Sequence, residues 1–216
     1  MGVVRGLFDP ARDGFGFRNP TGMEPSRVGG GALLRRLDAF LYGSGLCFGM
    51  AAATLANFQR PISPYPLSAL PLTPDLTGIL RGYHARQTRP RVIVAAVRDW
   101  LRARGGRPEG LLDRLRLPGE SADPHVLNFG PAPNGSFFRC LYRAHAVVPY
   151  RVEGDGGERR LYVYDPNHPG DRGRYVSFRG GGFGYGGFSS GGGWGITLVP
   201  LSAIGDTARS SAGAVV

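Results

Sequence analysis

Apolar positions recur at helical spacing in the first half of the chain and in alternating or short continuous runs in the second. Leu33, Leu34, Leu37, Phe40 and Leu41 lie on one side of a predicted helix over Ala32 to Tyr42, with Arg35, Arg36 and Asp38 on the other. Gly43-Ser44-Gly45 breaks it, and an alanine-rich run from Cys47 to Phe58 predicts a second helix, ended by Gln59-Arg60-Pro61. Five prolines between Pro61 and Pro74 mark a connecting loop. Helical patterns resume over Asp75 to Gln87, Pro90 to Arg104 and Leu111 to Leu117. In the middle one, Val92, Ile93, Ala96, Val97, Trp100 and Leu101 make a single apolar face.

After Pro124 the pattern changes to β-branched and aromatic runs punctuated by Gly, Pro, Asn and Asp. Strands are predicted at His125 to Phe129, Phe137 to Cys140, Ala144 to Glu153, Arg159 to Tyr164, Gly173 to Phe178 and Gly195 to Pro200. Glu153-Gly154-Asp155-Gly156-Gly157 is a hairpin turn signal. It joins the strand carrying His145 to the one that ends at Asp165, so those two side chains are expected to approach each other. Gly180 to Gly193 holds nine glycines beside Phe183, Tyr185 and Phe188 and reads as a flexible loop, either draped over a cleft or lying on the surface. Residues 1 to 30, rich in Gly, Pro and Arg, read as an extended segment laid over the body.

The 216 residues suffice for a substantial core, and their 42% hydrophobic and 11% aromatic content is that of a globular protein rather than a disordered one. The longest apolar stretches are too short to cross a bilayer. Met1 to Pro20 carries Asp9, Arg12 and Asp13 among glycines and lacks the apolar core of a secretion signal, so a cytoplasmic location is expected, with export by a route that reads no such signal left open. The net charge of +10 comes entirely from arginine, since the chain has no lysine. Arginine forks onto carboxylates and phosphates, so the surface suits an acidic protein partner, an anionic membrane or nucleic acid. The arginines are scattered, and no nucleic-acid motif accompanies them.

Chemistry enters through Cys47, which opens a predicted helix after Gly43-Ser44-Gly45-Leu46. A sulfur at that position gains from the positive end of the helix dipole and from unpaired backbone amides, both of which favour thiolate. Small neighbours let a substrate backbone come close, and the Cys47 amide can face a developing oxyanion. His145 opens the run Ala144-His145-Ala146-Val147-Val148, and alternation puts it opposite Ala144 and Ala146. Leu161-Tyr162-Val163-Tyr164-Asp165-Pro166-Asn167 ends the next strand with two residues able to accept from the imidazole and fix its tautomer, Asp165 or Asn167. A thiol, a base and a base-orienting group are what an acyl-transferring cysteine enzyme requires. With two cysteines one disulfide is conceivable, Cys47 to Cys140, but in a chain without a secretion signal a bond is not the default. His84, His125 and His168 lack metal-ligand spacing, and no phosphate loop is present, so no cofactor or metal is expected.

A Gly-x-Cys-x-Gly-Met element on a helix, a His-Ala-Val-Val strand and a Tyr-x-Tyr-Asp-Pro-Asn partner together resemble the papain-like cysteine peptidase superfamily, nearest to its bacterial C39-like branch. The resemblance covers roughly residues 40 to 200, with its specific motifs in three short stretches. It implies an α+β fold in which an N-terminal helical lobe faces a C-terminal antiparallel β half-barrel, with the active cleft between them. On that reading residues 1–216 form one domain: an extended segment 1–30, a helical lobe 31–120, a β-rich lobe 121–204 and a flexible tail 205–216. The resemblance also implies Cys47 as nucleophile, His145 as general base and acid, and Asp165 as orienting carboxylate, with Asn167 as the substitute third member. It departs from the family at Leu41, six residues before the nucleophile, where a glutamine commonly completes the oxyanion hole. Ser44, Tyr42 and Asn19 are the side chains available in its place. The function so implied is hydrolysis of a peptide or isopeptide amide through a thioester, acting on a protein or peptide. Two alternatives keep the same cleft: a transglutaminase-like acyl transfer, and an inactive binding module for an acidic partner.

Overall fold

The computed structural model describes residues 7–22, 42, 45–61, 65–103, 108–131, 144–154, 157–190 and 194–205. Mixed helix and strand are found, divided along the chain much as the hydrophobic periodicity divides. Five α-helices occur among the described residues: α1 (Pro10–Asp13), α2 (Cys47–Gln59), α3 (Pro74–Ala85), α4 (Pro90–Ala103) and α5 (Leu201–Ile204). Seven strands follow the helical half: β1 (His125–Pro131), β2 (His145–Glu153), β3 (Glu158–Tyr164), β4 (Tyr175–Arg179), β5 (Gly182–Tyr185), β6 (Phe188–Ser189) and β7 (Trp194–Pro200). They form one antiparallel sheet in the order β6-β5-β4-β3-β2-β1-β7, curled into a half-barrel whose ends, β6 and β7, approach each other. None of these helices is long and apolar enough to cross a membrane.

The period of two along each strand divides the core into two clusters. Val126, Ala146, Val148, Tyr164 and Val199 face α2, where Phe48, Met50, Ala51, Ala52 and Leu55 are buried. Leu127, Phe129, Val147, Leu161, Phe178 and Ile196 belong to the other cluster, which draws on every strand and so fills the inside of the curl. α2 is buried on nearly all sides, which explains why its sequence is apolar and small rather than amphipathic. Gly49 is where α3 crosses: a Cβ there would lie 2.3 Å from the Leu80 carbonyl oxygen.

The N-terminal residues are more deeply engaged than an extended overlay. Asp9 caps α1 through the Ala11 amide, Phe8 packs edge-on against Phe58 at 5.3 Å, and Phe8 and Phe15 are both buried. The Phe15 N–H donates to the Tyr164 hydroxyl at 3.1 Å, and Arg172 forks onto both oxygens of Asp9 at 2.8 Å.

Three expectations need correction. The helical pattern expected over Leu111 to Leu117 is met by a 3₁₀ helix displaced toward the N-terminus (Pro108–Arg114), which buries Leu111 and Leu112. The glycine-rich stretch is not an unstructured loop over its described part: Gly182–Tyr185 and Phe188–Ser189 pair as β5 and β6, since alternate aromatic side chains find the inside of the curl. The apolar face assigned to α4 is split. Val92 is buried, whereas Val97 and Leu101 are exposed, because Asp99 turns inward to accept the Leu198 N–H of edge strand β7 at 2.8 Å and the Arg114 guanidinium at 2.7 Å. The predicted helix over Ala32 to Tyr42, apart from Tyr42 itself, and the strand over Phe137 to Cys140 lie outside the described residues.

Candidate active site

Cys47 is the first residue of α2, and the helix entry explains its setting. Leu46 occupies the N-cap with no side-chain cap, so the first-turn N–H groups have no intrahelical acceptor. The Gly49 amide is met by His84 Nδ1 at 3.4 Å. Cys47 is a free thiol whose Sγ lies 3.9 Å from the Ala144 carbonyl oxygen, at the point where the chain enters β2. His145, the first residue of β2, follows directly. It sits on the same face as Val147, and the bulge between Pro149 and Arg151 comes later, so the register at His145 is undisturbed.

Asp165 closes the set from the end of β3. Its Oδ1 lies 2.9 Å from His145 Nε2 and also accepts the Asn167 backbone N–H at 2.8 Å. Its Oδ2 accepts from the Tyr185 hydroxyl. With Nε2 engaged by the carboxylate, Nδ1 is the ring nitrogen left for the sulfur, and Cys47 is near enough to raise the basicity of the imidazole. The three groups are nearly sealed: Cys47 is 7% exposed, His145 6% and Asp165 2%, so their charges interact with little solvent screening.

The electrostatics follow from that burial. Desolvation pushes His145 toward the neutral form, but the hydrogen bond to Asp165 and the hydrogen bond and charge of Cys47 outweigh it, and its pKa rises to about 10. Burial likewise opposes the Asp165 anion. Donation from His145, the His145 charge, Tyr185 and the Asn167 amide overcome it and hold the carboxyl at about 2. Burial first, and then the Asp165 charge, raise the Tyr185 hydroxyl above its usual range, so it stays protonated as a donor.

The remaining sequence candidates fall in different places. Asn167 does not touch the imidazole through its side chain: its Oδ1 accepts from Asn19 Nδ2 at 3.1 Å. Asn19 is buried beside the nucleophile's own turn. Its Oδ1 accepts the Leu46 N–H at 2.6 Å, and its backbone N–H donates to Pro166 at 2.7 Å. Because a backbone N–H can only donate, that contact fixes which way the Asn19 amide points, leaving one Nδ2 hydrogen after Asn167 is served. Gly45 has φ +106, and a Cβ on it would stand 2.6 Å from Asn19 Nδ2, so only glycine lets the chain pass. Tyr42 is directed elsewhere, its hydroxyl donating to the Arg81 carbonyl at 3.4 Å and its ring lying 5.8 Å from that of His84. Ser44 and Cys140 are outside the described residues.

Tyr185 was not among the residues singled out for the site. Its ring stacks 5.0 Å from Phe129 and 6.3 Å from His145, with the Arg174 guanidinium 5.4 Å over it, while Phe188 stacks on His145 at 5.8 Å. The signal available in the sequence was Phe183-Gly184-Tyr185, an apolar alternation hidden among glycines. Among the described residues no group of three His, Cys, Asp or Glu side chains is placed to hold a metal ion. The geometry gathers a thiol, an imidazole and a carboxylate in series, an arrangement able to transfer a proton along one line and to form a bond at sulfur. Comparison with protein-family models, curated proteins and solved structures returned no match to this chain.

Proposed function

We propose that the chain is a papain-like, cysteine-dependent amide hydrolase that acts on a peptide or isopeptide bond. The observation that carries the reading is the series Asp165 Oδ1, His145 Nε2 and, through the other ring nitrogen, the Cys47 sulfur. In the first half-reaction the Cys47 thiol proton passes to His145 Nδ1, and the sulfur attacks the substrate carbonyl carbon. The Cys47 amide donates to the resulting oxyanion, and the uncommitted Nδ2 hydrogen of Asn19, whose Oδ1 holds the Leu46 N–H, is offered as a side-chain donor beside that turn. Collapse breaks the C–N bond, His145 delivers its proton to the leaving amine, and a thioester remains. His145 then takes a proton from water, the hydroxide attacks the thioester, and the carboxylic acid leaves as the thiol is restored. Asp165 holds the imidazole in the required tautomer throughout and remains ionised.

The test is labelling of the purified chain with a peptidyl electrophile that forms a thioether at an activated cysteine, read by intact mass. A single adduct on Cys47, lost in Cys47→Ala and strongly slowed in His145→Gln, supports the reading. Equal labelling of wild type and Cys47→Ala, or labelling of Cys47 at the rate of a free thiol in denaturant, overturns it.

A further inference from the structure

The exposed side of α4 contributes nothing to the Cys47 site, yet it carries an ordered surface pattern. Val94, Val97 and Leu101 are 54%, 41% and 55% exposed. At 3.6 residues per turn these three fall within an arc of about 60°, and Arg91, Arg98 and Arg102 occupy the adjoining arc on one flank. The apolar stripe lines a shallow groove of about 680 Å³ with Arg98 and Arg102 on its wall. The same two arginines also border a second cleft of about 600 Å³, lined further by Arg114, Arg116, Asp123 and His125.

The carboxylates near this surface each lie beside an arginine other than Arg98 and Arg102, Asp113 at 4.0 Å from Arg159. Asp99 accepts from Leu198 and pairs with Arg114, while Asp123 accepts the Ser202 N–H and hydroxyl, both at 2.8 Å, and lies 3.7 Å from Arg116. Arg98 and Arg102 have no acidic partner among the described residues. They stand one turn apart, the spacing at which carboxylates on a facing helix would meet them.

We propose that the Val94–Val97–Leu101 stripe and its arginine flank form a docking groove for an acidic amphipathic helix of a partner protein. Aliphatic side chains of the partner would cover the stripe, and carboxylates one turn apart would pair with Arg98 and Arg102. Charge complementarity selects this occupant. A second copy of the chain carries the same arginines beside its own stripe, so two copies packed face to face there would bring like charges together.

The experiment is fluorescence anisotropy of the full chain with a labelled synthetic helix carrying leucines at heptad spacing and flanking glutamates, at physiological ionic strength. Binding is expected with a Kd of roughly 1–100 μM. R98E/R102E should weaken it at least about tenfold, and exchanging the peptide glutamates for lysines should restore binding to that variant. V97S/L101S should weaken both peptides. All substituted positions are exposed, and circular dichroism melting checks that the fold is kept. The proposal is overturned by absence of binding, or by equal binding to the charge-reversed chain. It is equally overturned if the chain pellets with phosphatidylglycerol vesicles and ignores the peptide, or self-associates through this face in sedimentation. Cys47→Ala should bind the peptide as wild type does, so the outcome is separate from that of the labelling test.

Discussion

The Tyr185 hydroxyl donates to Asp165 Oδ2, on the opposite side of the carboxylate from the oxygen that faces His145. Two strands separated only by β4 therefore share one buried anion: the carboxylate follows the end of β3 and the phenol comes from β5. Tyr185→Phe keeps the ring stack on Phe129 but removes the donor. The expected cost is about 1.5–3 kcal/mol of folding stability, the range for a hydrogen bond to a charged group, measured by urea unfolding. The folded-state pKa of Asp165 should also rise, so acid unfolding should begin at a higher pH than in wild type. Unchanged acid unfolding would show that Tyr185 does not help hold the anion.

Asp165→Asn separates the orienting role from simple bulk. The amide still reaches His145 Nε2, but it no longer balances a buried imidazolium, and loss of one partner of a buried pair costs about 3–5 kcal/mol. If the proposed hydrolase chemistry holds, the rate of thioether formation at Cys47 should fall by about 10³–10⁴ where the folded variant is assayed, because the wrong tautomer faces the sulfur. A variant that melts earlier yet labels at the wild-type rate would leave Asp165 as a structural residue only.

Much of this architecture could be read from periodicity. α3 and α4 lie within a residue or two of their expected bounds because apolar repeats at 3.6 spacing need no knowledge of distant partners, and α2 does so because an alanine-rich run ended by Gln59-Arg60-Pro61 marks a helix by itself. The strands carrying His145 and Asp165 were legible for the same reason at period two. What escaped depends on contacts far apart in sequence. β5 and β6 exist because Phe183, Tyr185 and Phe188 reach a cavity built by five other strands, which glycine-rich composition conceals. Val97 and Leu101 face outward because Asp99 serves an edge strand, a demand set by β7 and invisible within α4 itself. Of Asp165 and Asn167, the turn brings only the first against the imidazole: Asp165 Oδ1 accepts the Asn167 amide, and the Asn167 side chain meets Asn19.

The pH dependence of stability has a definite sign at both ends. His145 is raised from 6.5 to about 10, so its contribution is fully present below about 6.5 and is lost as pH rises through about 10. Asp165 is lowered from 3.8 to about 2, so its contribution is fully present above about 3.8 and is lost as pH falls through about 2. Between roughly pH 4 and 6.5 both are intact, and the melting temperature should form a plateau there before declining on the alkaline side. In His145→Gln that alkaline decline should flatten. Calorimetry across the range reads it directly, and a wild-type melting temperature that keeps rising through pH 8 to 10 would have the opposite sign from the one His145 sets.

The last prediction concerns Asn19, brought to the nucleophile's turn from a segment that precedes it by 28 positions (47 less 19). Asn19→Ala leaves the Leu46 N–H buried without its acceptor, which costs about 1–3 kcal/mol. If the second Nδ2 hydrogen serves the oxyanion, the same change should lower kcat by about 10²–10³ with little change in KM, since that contact forms only as charge develops. Asn19→Asp separates the two roles. Its carboxylate still accepts from Leu46, but it has no hydrogen to donate to Asn167 Oδ1 or to an oxyanion, and it places negative charge where the oxyanion forms. kcat of the folded fraction should then fall further than in Asn19→Ala, whereas a purely structural Asn19 would lose stability with kcat of the folded fraction unchanged. Gly45→Ala approaches the same contact from the other side: at φ +106, with its Cβ 2.6 Å from Asn19 Nδ2, it should destabilise by about 1–3 kcal/mol and displace the Asn19 amide. Its kinetic defect should therefore match that of Asn19→Ala, and the double variant should be no slower than either one alone.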